Sequence, residues 1–269
     1  MKINILSTLL LAIMTLAPTL AFAAEPTAWG LGFQEAASPM AERIQEFHGM
    51  LLWIIASTAI FVLALLAWVI IRYNHKANPK PAQFTHHVLL EVVWTVIPII
   101  ILIIIAIPSF KVLYYNDRTE NPEMTLKIVG RQWYWNYEYP DHGEINFDSY
   151  MVADDEIKDD QKRLLSTDTQ VVLPVDTNIQ LLISASDVLH SWAMPAFGVK
   201  LDAVPGRWNE TWVNISKPGT YYGQCSELCG KDHAYMPIEI KAVPKDEFRA
   251  WAIENGAKPA DFETAATEE

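Results

Sequence analysis

Two uninterrupted apolar runs dominate the first half of the chain, and alternation of apolar and polar positions replaces them in the second. Residues 51–71 carry no charge, and only Ser57 and Thr58 are polar. As a helix this run reaches about 31 Å, enough to cross a hydrocarbon core of about 30 Å. Residues 88–107 form a second run, with Glu91 as its one charge and Pro98 inside it. Both are predicted membrane spans, joined as a helical hairpin, with Pro98 expected only to kink its helix. An earlier apolar stretch, residues 5–20, is shorter and contains Pro18. It follows Lys2 and ends in Ala21-Phe22-Ala23. That is the pattern of an export signal cleaved near Ala24. The expected division is therefore a signal at 1–23, then an N-terminal segment and hairpin at 24–115.

After about residue 116 the pattern changes to short β-prone runs. Residues 124–129, 132–139, 170–173, 179–184, 210–214 and 237–243 are rich in branched and aromatic side chains. Val204-Pro205-Gly206 and Lys217-Pro218-Gly219 are turn signals between them. Many short strands with frequent turns predict an all-β sandwich or barrel over 116–256. Residues 154–168, rich in Asp and Lys, read as a solvated loop, and 244–255 have a helical rhythm. Residues 257–269 are expected to be a mobile tail.

Charge gives the hairpin a direction. The link 72–87 carries Arg72, Lys76 and Lys80 and no acid, whereas Glu25, Glu35, Glu42 and Glu46 face a single Arg43 before the first span. Excess Lys and Arg stay in the cytoplasm, so the β-rich domain and the N-terminus are predicted to be external. The chain carries a net charge of −12. An acidic external domain suits a basic protein partner, while the hairpin meets membrane lipid; neither suits nucleic acid.

The candidate chemistry lies between Cys225 and Met236. Cys225 and Cys229 are the chain's 2 cysteines, and His233 and Met236 follow in the same loop. A disulfide is one reading for an exported pair. A zinc site would use the cysteines and a histidine but not the methionine. A blue copper site needs one cysteine fewer. Zinc would still need a fourth ligand, for which His190 is a candidate; two thiolates could instead bridge two coppers, each capped by one histidine.

Three motifs carry a family resemblance: Gly130-Arg131-Gln132-Trp133-Tyr134-Trp135, Asp187-Val188-Leu189-His190-Ser191-Trp192, and the cysteine loop through Met236-Pro237. With two preceding spans, the chain resembles subunit II of haem–copper cytochrome c oxidases over roughly residues 47–243. The resemblance implies a membrane-anchored fold, a two-helix transmembrane hairpin plus an all-β cupredoxin-like Greek-key barrel. It implies a dinuclear CuA centre of two copper ions bridged by Cys225 and Cys229. His190 and His233 would be the terminal imidazoles, Met236 a weak ligand on the His190 copper, and the Glu227 carbonyl a weak ligand on the other. The Glu227 side chain would reach a magnesium or manganese ion shared with subunit I.

The same resemblance gives Trp133 the role of receiving electrons from cytochrome c. Trp135 is expected to be a packing neighbour. Tyr134, Glu138, Asp148, Asp168 and Asp187 would form the docking face for the basic cytochrome, with Glu144 as a possible addition. Glu91 would mark the mouth of a proton pathway in subunit I. The implied activity is electron transfer to haem a in subunit I of a proton-translocating oxidase that reduces oxygen to water. Other oxidase subunits would be further partners. The implied place is a bacterial inner membrane, with the N-terminus and copper domain in the periplasm. Arg131 departs from the histidine many relatives carry there, which touches only the docking surface.

Two other functions fit parts of the pattern: the CuA subunit of a nitric oxide reductase, and a membrane-anchored copper chaperone. A chaperone of that kind has an αβ pattern and one span, against the β-rich domain and second span here. The related subunit of quinol oxidases lacks the cysteines.

Overall fold

The computed structural model describes residues 22–117, 119, 121–143 and 145–262. The expected signal, apart from residues 22 and 23, lies outside the described residues, as do Glu144 and the last part of the expected tail.

Two long helices come first. Helix α1 spans Pro39–Arg72 and helix α2 spans Val88–Asn116. Both are long and apolar enough to cross a membrane, and they lie against each other. Ser38 caps α1: its hydroxyl oxygen accepts from the Ala41 N–H at 3.0 Å and its hydroxyl donates to the Phe197 carbonyl at 2.7 Å. Such a cap satisfies a donor that the first helical turn leaves open. Because the second bond crosses to the β-domain, the same serine fixes the domain on top of the helix. Ala37, Met40 and Ala41 are buried at this junction. The end of α2 is tied down as well. The Trp212 indole donates to the Tyr115 carbonyl at 3.2 Å, and the Arg43 guanidinium stands 3.9 Å from the Tyr115 ring centre.

The strands are β1 (Phe22–Ala24), β2 (Met124–Arg131), β3 (Tyr134–Glu138), β4 (Asn146–Ser149), β5 (Val171–Pro174), β6 (Ile179–Ala185), β7 (His190–Met194), β8 (Val199–Ala203), β9 (Asn209–Val213), β10 (Gly219–Cys225) and β11 (Pro237–Val243). One sheet runs β5-β11-β10-β7-β8, with β1 added in parallel to β10; the other runs β4-β3-β2-β6-β9. The sheets enclose one core, the cupredoxin-like barrel. Met124, Leu126 and Ile128 alternate inward along β2, and Ile179, Leu181 and Ile183 along β6. Trp135, Tyr137, Tyr139, Trp192 and Tyr221 fill the space between the sheets. Each fully buried aliphatic side chain of β2 and β6 contributes about 1.5–3 kcal/mol by leaving water. The polar ends of the tyrosines and tryptophans are satisfied: the Trp192 indole meets the Tyr137 hydroxyl at 3.3 Å, and the Tyr139 hydroxyl donates to the Val172 carbonyl at 3.0 Å. Burial pushes both tyrosines well above the ordinary tyrosine range.

Two features differ from the sequence pattern. The run 132–139 is not one strand: a turn at Gln132 and Trp133 separates β2 from β3. The chain also continues to pack beyond Gly256. Helix α3 (Lys245–Glu254) ends there, yet Ala257 is buried, and a 3-10 turn at Pro259–Phe262 brings the Phe262 ring 4.8 Å from that of His142. The apolar Phe262 packs beside Phe248 and His142, so residues 257–262 are in contact with the domain.

Candidate metal centre

Four elements converge at one end of the barrel. His190 opens β7, Cys225 closes β10, and the loop 226–236 returns to β11 carrying Cys229, His233 and Met236. Cys225 pairs with Trp192 in the sheet, which sets its sulfur beside the start of β7. The Ser226 N–H donates to the Ser191 carbonyl at 2.9 Å and so begins the loop against β7.

The two sulfurs are 3.9 Å apart and both cysteines are free and buried. A disulfide bond is about 2.0 Å, so the pair is not joined. His190 Nδ1 faces Cys225 Sγ at 3.9 Å, and His233 Nδ1 faces Cys229 Sγ at 3.5 Å. Met236 Sδ lies 3.6 Å from Cys229 Sγ, and the Glu227 carbonyl oxygen lies 3.4 Å from Cys225 Sγ. The ligand atoms of His190, Cys225 and Cys229 all fall within 4.8 Å of one another. Metal–thiolate bonds are about 2.3 Å long, so sulfurs at this spacing can both contact the same ion. Soft sulfur with imidazole favours copper over hard cations. The donor set therefore fits a copper centre.

The electrostatics point the same way. Burial pushes the Cys225 thiol up, but hydrogen bonds from His190 and from the backbone near Ser191 and Glu227 outweigh it, bringing it to about 7. Burial and the neighbouring Cys225 charge push Cys229 up to about 12. Without a cation the site holds one thiolate readily and resists the second. A bound cation would supply the charge that lets both ionise.

His190 is oriented from behind. Its Nε2 lies 2.9 Å from Asp187 Oδ1, leaving Nδ1 for the sulfur side. Burial would lower the imidazole pKa, but Cys225 and Asp187 together raise it. Burial raises the Asp187 carboxyl, yet hydrogen bonds from His190, Val188 and Gln132 bring it below the ordinary range. Gly130 on β2 lies directly against the imidazole. A Cβ there would stand 2.9 Å from His190 Cγ, so the ring requires glycine beneath it.

Trp133 is half-buried beside the loop. Its indole N–H donates to the Cys229 carbonyl at 3.1 Å, and Gln132 Nε2 donates to the same oxygen at 3.0 Å. Trp135 is fully buried, and its indole donates to the Met236 carbonyl at 3.3 Å. Tyr134 stacks on Tyr150 with ring centres 4.4 Å apart. Asp168 accepts from the Tyr150 N–H at 2.9 Å, and Asp148 accepts from Asn136 Nδ2 at 2.8 Å. Glu138 is paired with Lys127 at 3.0 Å. Asp187 has both oxygens engaged, since Oδ2 also accepts from the Gln132 N–H at 2.7 Å. Glu227 is exposed. Glu91 lies apart from this cluster, in the first turn of α2. There its carboxylate accepts from the His87 N–H at 3.1 Å and helps cap the helix.

Sequence reasoning missed Gly130, Gln132 and the orienting contact of Asp187. The spacing Asp187-x-x-His190 was the available signal for the last. The other two depend on which strands become neighbours.

Comparison with known proteins agrees with this arrangement. The profile described as "Cytochrome C oxidase subunit II, periplasmic domain" matches residues 124–243, and its transmembrane counterpart matches 26–112. The chain is 50% identical over 244 residues to a "Probable cytochrome c oxidase subunit 2" of Rickettsia bellii, covering 91% of both proteins. It is 47% identical over 235 residues to "Cytochrome c oxidase subunit 2" of Oenothera berteroana, covering 85% of this chain and 90% of that one. The solved periplasmic domain of subunit II of cytochrome oxidase from Bradyrhizobium japonicum is 49% identical, covering 51% of this chain and 96% of that one, with a TM-score of 0.48. A membrane hairpin and a β-barrel bearing a cysteine–histidine cluster, matched along nearly the whole length, place this membrane-anchored chain in the cytochrome c oxidase subunit II family.

Proposed function

We propose that this chain is the electron-accepting subunit of a cytochrome c oxidase. It takes electrons from a basic c-type cytochrome and passes them toward haem a in subunit I, where oxygen is reduced to water and protons are translocated. The observation that carries this reading is the pair of free sulfurs 3.9 Å apart, each faced by a histidine Nδ1.

Cys225 and Cys229 would hold the copper pair through their sulfurs, with His190 and His233 each supplying an imidazole; Met236 and the Glu227 carbonyl would serve as weaker ligands. When bound, the copper pair supplies a one-electron relay whose charge is shared over two metals. The chain's own residues do the rest. Asp187 fixes the His190 ring so that Nδ1 faces the sulfurs. Cys225 gives up its proton easily, which prepares the site for a cation. Trp133 offers an aromatic ring tied by its indole N–H to the backbone of Cys229, a short path from surface to ligand.

Glu138, Asp148, Asp168 and Asp187 steer a lysine-rich donor toward Tyr134 and Trp133, with strong salt sensitivity. The exposed Glu227 side chain would be free to reach a magnesium or manganese ion at the border with subunit I. Glu91 stands at the mouth of a proton pathway in subunit I, a use compatible with its capping bond. The anchor is 24–115 and the copper domain 116–256. The lysines and arginine of the 72–87 link support a cytoplasmic hairpin turn, so the N-terminus and barrel face the periplasm of a bacterial cell membrane after removal of an export signal.

The test is replacement of Cys225 by serine in the assembled oxidase. The expected result is loss of the copper signal and of cytochrome-driven turnover, with subunit I still assembled. An intact copper signal would refute the bridging role.

A further inference from the structure

A buried carboxylate that the copper site does not use holds one loop from beneath. Glu239 lies on β11 opposite Tyr222 and is 3% exposed. An ionised group at that depth is costly unless hydrogen-bonded. Its Oε2 accepts from the Thr167 backbone N–H at 2.6 Å, and its Oε1 accepts from Gln170 Nε2 at 2.8 Å. The hydroxyls of Thr167 and Ser166 stand at 3.4 and 3.5 Å. These four groups belong to one short stretch, residues 166–170.

That stretch also supports the acidic face. The Asp168 N–H donates to the Tyr150 carbonyl and the Tyr150 N–H donates to Asp168 Oδ1, each at 2.9 Å. The Ser149 hydroxyl donates to the Thr169 carbonyl at 2.7 Å. Tyr150 in turn stacks on Tyr134, the residue after Trp133. A continuous line of contacts therefore runs from Glu239 through Thr167, Asp168 and Tyr150 to Tyr134.

We propose that Glu239 is a positioning residue for the electron donor: by fixing residues 166–170 it holds Asp168 and the Tyr134–Tyr150 pair as a preformed docking face. This rests on the docking reading given above. A face ordered in advance avoids the cost of ordering it during each encounter. Glutamine at this position would keep the size but turn one acceptor into a donor. That donor would face the Thr167 N–H, losing its bond, or oblige the Gln170 amide to turn over, and the bond that remains loses the assistance of the carboxylate charge.

The test uses the assembled oxidase with the substitutions Glu239→Gln and Gln170→Ala. E239Q is expected to raise KM for cytochrome c about threefold to tenfold, the scale of one lost hydrogen bond, and Q170A to raise it less. The copper absorbance, kcat and turnover with a small diffusible reductant stay unchanged. Q170A removes no charge, so its rise separates positioning from the loss of a negative charge. A rise confined to E239Q assigns the effect to charge and overturns the positioning role. Loss of copper or of kcat in Q170A would overturn it too. If E239Q fails to assemble, Q170A decides by the same criteria. D148N and D168N remove charge from the face itself. A raised KM in those two with no rise in E239Q and Q170A overturns this inference alone. An unchanged KM in all of them overturns the docking reading as well.

Discussion

His190 and Asp187 are locked together: imidazole Nε2 and carboxylate Oδ1 stand 2.9 Å apart, while the imidazole is fully buried. The acid's second oxygen holds the Gln132 N–H, at the turn that presents Trp133. One carboxylate thus aligns a metal-facing ring and the neighbouring aromatic. Replacing Asp187 by asparagine removes the charge that fixes the ring. Partners of this kind are worth about 10–100-fold in metal affinity. D187N is expected to weaken copper retention on dialysis and to alter the copper spectrum. D148N, on the same acidic side but without a contact to His190, is expected to change neither. Copper content after dialysis, measured on both variants, checks this.

Trp133 is linked to Cys229 through a carbonyl that Gln132 shares. Replacing Trp133 by glutamine removes the ring and its bond to the Cys229 carbonyl but replaces no ligand, and Gln132 still holds that carbonyl. Cytochrome-driven turnover is expected to fall by roughly tenfold or more, a barrier change of about 1.4 kcal/mol or more, with the copper spectrum retained. Normal turnover with cytochrome c would count against this role.

Gly130 lies where a Cβ would stand 2.9 Å from His190 Cγ and 3.0 Å from its Cβ and Cδ2. Both partners are confined, one in a strand and the other fully buried. Gly130→Ala is expected to displace the ring, at a cost of about 1–3 kcal/mol. It should show as a lowered melting temperature together with reduced copper binding.

Much of this was legible in the residues alone. The two apolar runs announced the helices, since each is long enough to cross a membrane and carries at most one charge. Alternation in 124–129 and 179–184 marked β2 and β6. The strands at 190–194 and 219–225 were harder to see, because residues in β7 are buried on both faces and do not alternate. The cysteine loop was readable because its donors are close in sequence. The roles of Gly130 and Gln132 come from the pairing of β2 with β6 and from the turn beside the loop, which sequence spacing does not encode. Asp187 was read as a surface acid, and its bond to His190 became apparent only once β7 was placed.

His142 gives a pH dependence with a definite sign. It is 6% exposed, its Nδ1 has no partner among the described residues, and it packs against Phe248 and Phe262. Burial lowers its pKa, and the nearby Asp141 and Asp261 only partly oppose this. A histidine whose folded pKa is depressed contributes stability above its unfolded value, about 6.5, and loses it as pH falls through and below that value. Melting temperature should therefore drop as pH falls below about 6.5, and His142→Phe should drop less. Parallel curves for the two proteins would contradict this.

The most direct test of the account is the amount and state of copper in the purified, oxidised protein. Two copper ions per chain, with one unpaired electron shared equally by both nuclei in the paramagnetic resonance spectrum, is the predicted result. A single copper ion, or none with Cys225 and Cys229 joined as a disulfide, would contradict it.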